Sequence, residues 1–182
     1  MSPSDAVVVF GSSQTEIDST EWADAMRVGT RLAEAGYGVI TGGYGGTMEA
    51  ASKGAAMAGG HVIGVTAPKL FPGRPASNPY VAELIEADGL LDRIDVMIRR
   101  SRAALALPGS IGTAAELFVT WNLNHISRRG GANGHLPIAA VGRGWREIGR
   151  SLVELAGASP ADVKWVPTVD EGVDWVISSL GS

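Results

Sequence analysis

The chain has 182 residues, 45% of them hydrophobic and 19% charged, with a net charge of −4 and no cysteine. That length and balance describe a single folded domain, residues 1–182, with room for a sizeable core, and they argue against a disordered chain. They exclude disulfides and thiolate metal sites, and with no basic stripe or basic amphipathic helix they leave nucleic acid and membrane surfaces without a docking patch.

In chain order, residues 6–10, 38–41, 61–66, 103–107 and 137–141 are short apolar runs rich in β-branched residues, and 164–167 is a sixth candidate. Each is continuously apolar rather than alternating, as a strand covered on both faces must be. Helical patterns fall between them. Residues 20–35 place Trp22, Met26, Leu32 and Ala33 near one face, with Gly36 as a stop. Residues 47–58 are rich in Ala and Met, and Arg93 precedes a helical stretch at 94–101. Residues 113–126 carry Leu117, Phe118, Trp121 and His125 at helical spacing; 147–155 and 171–180 supply two more helices. Strand–helix alternation with sheet-buried strands predicts an α/β fold, a doubly wound, Rossmann-like parallel sheet flanked by helices. Residues 67–79 and 127–134 read as loops within it. The run at 7–10 is too short for a signal-peptide core and no apolar run approaches a membrane span, so a cytoplasmic protein is expected.

In such sheets ligands bind beyond the carboxyl ends of the strands, near the point where strand order reverses. Three loops there are unusual: Gly11-Ser12-Ser13, then Gly42-Gly43-Tyr44-Gly45-Gly46-Thr47, then Pro108-Gly109-Ser110-Ile111-Gly112-Thr113. Glycine lets backbone N–H groups approach an anion, and the helix that follows adds a partial positive charge. Gly11, Ser12, Ser13, Gly42, Gly43, Gly109, Ser110, Ile111, Gly112 and Thr113 are therefore candidates to hold a phosphate. Thr47 and Thr113 are suited to cap their helices or to donate a hydroxyl. Neither glycine loop is a Walker A or a dinucleotide fingerprint. Glu116 lies three residues after Thr113, where it is either a capping-box partner or a carboxylate held near a phosphate; Glu49 holds a similar place after Thr47. A phosphate also wants a guanidinium, and Arg93, Arg99, Arg100 and Arg102 are all candidates on composition. His61, His125 and His135 show no metal-ligand spacing. Lys53, Lys69 and Lys164 are the only lysines, and none has the setting of a Schiff-base lysine.

With these residues in view, the chain resembles the LOG family, the cytokinin riboside 5′-monophosphate phosphoribohydrolases long called lysine decarboxylases. The family motif Pro-Gly-Gly-x-Gly-Thr-x-x-Glu is matched by Pro108 through Glu116, with Ser110 in place of the second glycine. An arginine stands at a fixed interval before that motif, within Arg-Lys-x-x-Met; Arg93 falls at the interval, Met97 matches the methionine, and Ile94 replaces the lysine. The resemblance extends to Gly11-Ser12-Ser13, to the turn at 42–48, to the strand at 60–65 and to Trp121-Asn122-Leu123. It implies that Arg93 and Glu116 are the catalytic pair and that the Pro108–Thr113 loop holds the 5′-phosphate. The implied reaction is hydrolysis of the N-glycosidic bond of AMP or an N6-modified adenine nucleotide, with no cofactor and no metal, by a homodimer. Glu49, where the cytokinin enzymes have glycine, and the spelling from Gly42 to Ala55 look more like the nucleotide- and molybdenum-cofactor-binding relatives in the same superfamily. A non-catalytic carrier or sensor is the alternative that this implies.

Overall fold

β1 (Ala6–Phe10) shows how the chain builds two cores at once. Successive side chains of a strand point to opposite faces. Val7 and Val9 enter one apolar layer, while Ala6, Val8 and Phe10 enter the other. A strand buried on both sides has no polar positions, which is why it reads as an unbroken apolar run.

The computed structural model describes residues 5–129 and 135–181. After β1 come α1 (Thr20–Glu34), β2 (Gly38–Thr41), α2 (Thr47–Met57), β3 (Val62–Thr66), β4 (Glu83–Glu86), α3 (Leu90–Arg99) and β5 (Ala103–Ala106). Then follow α4 (Ile111–Arg128), β6 (Ile138–Val141), α5 (Arg143–Ala156), a 3-10 turn at Pro160–Asp162, β7 (Lys164–Val166) and α6 (Val169–Leu180). The seven strands form one sheet in the order β4-β3-β2-β1-β5-β6-β7, and every pairing is parallel. α1, α2 and α6 contribute to the Val7 layer; α3, α4 and α5 contribute to the Val8 layer. The sheet is the expected doubly wound one. Strand order reverses between β1 and β5, whose register runs from Val7 opposite Ala103 to Phe10 opposite Ala106.

Four differences from the sequence reading matter for the site. β4 is a strand where none was expected, because an edge strand has one neighbour and keeps exposed residues: Leu84 and Glu86 face out. α3 starts at Leu90, so Arg93 lies inside its first turn rather than before it, with its N–H donating to Gly89 O at 3.0 Å. α4 starts at Ile111 with Ser110 as N-cap, so Thr113 is not a cap and Glu116 stands in the second turn, out of capping-box reach. Likewise Gly46 is the N-cap of α2, and Thr47 is its first residue. Of the loop expected at 127–134, Ser127 and Arg128 belong to α4, and 130–134 lie outside the described residues. No helix among the described residues is long and apolar enough to cross a membrane.

Candidate active site

Two strands and three helices converge on one guanidinium. Arg93 projects from the first turn of α3 and is buried, at 6% exposure. Its Nε donates to Val65 O in β3 at 2.7 Å, and Nη2 donates to Gly42 O just past β2 at 3.0 Å. Nη1 donates to Oε1 of Glu116 in α4 at 3.3 Å. Met48 Sδ lies 3.8 Å from Nη2, and the ring of Tyr44 lies 5.8 Å from the guanidinium carbon. A buried cation is tolerated only when its donors are used, and two carbonyls with one carboxylate provide that. Gly42 is required here: a Cβ at that position would overlap Arg93 Nη2.

Glu116 is nearly as buried, at 7% exposure, and Arg93 is the only partner its carboxylate has among the described residues. Burial pushes its pKa up to about 7, against the opposing pull of the Arg93 charge. Burial likewise holds Arg93 below the ordinary arginine value, while Glu116 works the other way. The pair is thus a carboxyl poised to exchange a proton near neutrality beside a fixed cation, with its second oxygen unclaimed among the described residues. The other three candidate arginines have surface tasks. Arg99 pairs with Asp95 at 2.8 Å, Arg102 with Asp5 at 2.9 Å, and Arg100 with Glu83.

One turn before Glu116, the start of α4 is open. Gly109, Ser110, Ile111 and Gly112 are all exposed, and Ser110 makes no side-chain capping bond. The first N–H groups of the helix therefore have no partner inside it, which suits an anion. Thr113 Oγ1 is buried there with no hydrogen-bond partner among the described residues. Its side chain occupies the space beside Gly109, where any Cβ would collide with it. A cleft of about 440 Å³ opens alongside, lined by Ser110, Ile111, Trp145 and Ile148 among others.

The remaining predicted residues are placed differently. Gly42 and Gly43 are buried; the carbonyl of Gly42 serves Arg93, and the N–H of Gly43 donates to Thr41 Oγ1 at 3.1 Å. Gly11 lies against Thr47, and Ser12 O accepts the Thr47 N–H at 2.8 Å. The hydroxyls of Ser12 and Ser13 accept from the Gln14 backbone N–H and side-chain Nε2, at 3.0 and 3.2 Å. Glu49 is half-buried in the first turn of α2, its Oε2 folded back toward Gly45. Met97 is fully buried in the core between α3 and the sheet, not at the site. The methionine that touches Arg93 is Met48, and neither it nor Tyr44 stands out as a site residue from sequence. Both sit about 50 residues from Arg93, and only the Gly-Gly-Tyr turn hinted that the segment approaches another backbone. Among the described residues no cluster of His, Asp or Glu has the arrangement of a metal site.

Comparison with known proteins adds a family to this geometry. Residues 4–126 match the model of the SLOG cluster4 family. The chain is 36% identical over 120 residues to a pyrimidine/purine nucleotide 5′-monophosphate nucleosidase of Escherichia coli K12, covering 61% of this chain and 25% of that protein. It is 36% identical over 98 residues to a cytokinin riboside 5′-monophosphate phosphoribohydrolase of Mycobacterium tuberculosis, covering 53% and 52%. It therefore spans about a quarter and about half of the lengths of these relatives. Among solved structures, the molybdenum cofactor binding protein of Rippkaea orientalis superposes with a TM-score of 0.73 at 21% identity, over 98% of each chain. That likeness is one of fold.

Proposed function

The chain belongs to the SLOG cluster4 family, and on that premise we propose that it hydrolyses the N-glycosidic bond of a nucleoside 5′-monophosphate, AMP or an N6-modified adenine nucleotide, to free base and ribose 5-phosphate. The observation that carries this reading is the buried Arg93–Glu116 pair one turn inside an uncapped, exposed helix start. The names of the E. coli and mycobacterial relatives support the reaction class.

In this proposal the 5′-phosphate rests on the N–H groups of Gly109 through Thr113 and takes the Thr113 hydroxyl as a donor, which gives that orphaned buried oxygen a partner. The ribose then extends toward Glu116. Cleavage of the C1′–N bond develops positive charge on the sugar, and an ionised Glu116 carboxylate next to it stabilises that charge. The same carboxylate takes a proton from the attacking water as its oxygen bonds to C1′; the departing base nitrogen takes up a proton in turn, so the charges balance. Arg93 fixes the carboxylate and keeps a fraction of it ionised despite burial. No step calls for a metal or an organic cofactor.

The exposed apolar residues Val119 and Ile126 of α4, with Ile148 and Leu155 of α5, support the homodimer that the resemblance implies. The test of function is direct. Purified protein incubated with AMP and with isopentenyl-AMP is expected to release ribose 5-phosphate. Tight binding of monophosphates without release would favour the carrier reading.

A further inference from the structure

The connection between β3 and β4 is tied to the β2–α2 loop near both ends. At its start the Ala67 N–H donates to Tyr44 Oη at 3.0 Å. Toward its end Asn78 donates from its backbone to Gly43 O at 2.7 Å, and from Nδ2 to the carbonyls of Gly43 at 3.2 Å and Tyr44 at 3.1 Å. Between these ties Arg74 lays its guanidinium over two rings, Phe71 at 4.5 Å and Tyr44 at 5.1 Å. The rings themselves meet edge to face at 5.5 Å.

The Tyr44 ring therefore has two guanidiniums as neighbours. Arg93 is buried and its donors are used; Arg74 stands on an exposed residue and has no carboxylate partner among the described residues. The Arg74 charge is close enough to oppose protonation of Arg93. Two like charges around one ring repel, and an anion bound beside that ring removes the repulsion. Stacking also orders a planar guanidinium while leaving its N–H edge available for an oxyanion. Arg99, Arg100 and Arg102 lack this setting, since each is neutralised by its own carboxylate.

We infer that Arg74 is a specificity-determining residue, a second cation at the mouth of the Arg93–Glu116 site that selects a phosphorylated ligand over the corresponding nucleoside. This rests on the proposed monophosphate reading and names the part of the ligand that the β3–β4 connection would recognise. A charge-assisted contact to a phosphate at a partly exposed site supports an effect of about five- to tenfold.

The test uses Arg74→Gln, which keeps most of the apolar stem but not the charge, Arg74→Lys, and Arg150→Gln as a control for the change in net charge on α5. KM for AMP is expected to rise about five- to tenfold in Arg74→Gln at low salt with kcat within about twofold, and Arg74→Lys recovers part of that. The inhibition constant of ribose 5-phosphate should rise in parallel, while that of adenosine stays put. Raising the salt to about 0.5 M should shrink the difference between wild type and variant. Arg150→Gln is expected to match wild type throughout. If the wild type turns over AMP and Arg74→Gln has an unchanged KM, or loses adenosine and ribose 5-phosphate equally, the inference fails and the monophosphate reading stands. If the wild type neither binds nor cleaves any monophosphate, both fail together.

Discussion

The junction between β2 and α2 is spelled Gly-Gly-Tyr-Gly-Gly-Thr, and the junction between β5 and α4 is spelled Pro-Gly-Ser-Ile-Gly-Thr. Both leave the same end of the sheet and both enter a helix, yet their backbones meet opposite surroundings. At the first, Asn78 takes the carbonyls of Gly43 and Tyr44, Ser12 takes the Thr47 N–H, and Thr15 Oγ1 meets Thr47 Oγ1 at 2.7 Å. At the second, the loop is exposed, and among the described residues its N-cap side chain makes no capping bond and the Thr113 hydroxyl is orphaned. Glycine and threonine serve in both places. What differs is whether neighbouring segments cover the loop: the β1–α1 and β3–β4 connections close over the first, and the second faces the cleft. One junction is a structural joint that shapes the Arg93 seat; the other leaves the Ser110 cap and the Thr113 hydroxyl without partners among the described residues.

The sharpest way to break this contrast is to remove the two carboxylates that follow the junctions. Glu116→Gln is expected to lower kcat/KM for the monophosphate by roughly a thousandfold, the usual scale for a lost acid–base group. Glu49→Gln, on the structural junction, should stay within about threefold of wild type. Equal losses in steady-state assays would mean that the two junctions share the chemistry and that the contrast is wrong.

Glycine substitutions sharpen the same point with stability as the readout. Gly42→Ala puts a methyl group where Arg93 Nη2 already is, so it should cost about 2–3 kcal/mol in urea unfolding and abolish turnover as well. Gly112→Ala meets nothing closer than Ser110 Oγ at 3.7 Å, so stability should hold or rise by about 0.5 kcal/mol because alanine suits a helix better. Its damage should appear as a raised KM, from a methyl group set among the N–H donors. A destabilised Gly112→Ala, or a tolerated Gly42→Ala, would reverse the assignment of the two loops.

How far this contrast could be read from residues alone depends on what carries it. The sheet was legible because strands buried on both faces must be unbroken apolar runs, and residues 6–10, 38–41 and 103–107 read that way, with β5 ending at Ala106. β4 was not legible: Glu83 and Glu86 bracket Leu84 and Ile85 on an edge that has only β3 beside it. Both glycine loops were visible, but their difference was not. It arises from Asn78 and Ser12, which lie 35 residues after Gly43 and 35 before Thr47 and have no local pattern linking them to either. Arg93 shows the same limit. Charge composition cannot separate it from Arg99, Arg100 and Arg102, because helix position decides which of them turns inward; the family spacing chose it, and burial against Glu116 is what sets it apart in space. The same spacing pointed to Met97, which the fold uses as core.

Titration separates the junctions along another axis. Burial lifts the Glu116 carboxyl from its ordinary 4.5 to about 7. Between those values the native state keeps a proton that the unfolded chain has released, so this group's contribution to stability falls as pH rises through the window and is smallest above about pH 7. The expected loss is about 3 kcal/mol between pH 4.5 and 8, read as a falling urea midpoint. Glu116→Gln should lack that slope. Activity runs the other way, because the proposed step needs the ionised carboxylate: kcat/KM should rise with pH and level off above about pH 7. Parallel stability slopes in wild type and Glu116→Gln would show that burial of this carboxyl is not the cause.

The smallest effects come from the two threonines, and they test the contrast most closely because the residue type is the same. Thr47→Val removes the hydroxyl that meets Thr15 Oγ1 and leaves that partner unmatched, so it should destabilise by about 1 kcal/mol. Thr113→Val replaces a buried hydroxyl that has no partner with a methyl group of similar shape. Stability should be unchanged or improve by up to about 1 kcal/mol, while KM for the monophosphate rises several-fold, since a phosphate is the group that would have satisfied that oxygen. Opposite signs in unfolding, with the binding penalty confined to Thr113→Val, are what a joint and an open anion seat require. A Thr113→Val protein that loses stability as Thr47→Val does would mean its hydroxyl already has a partner, and the seat beside Glu116 would then not be open.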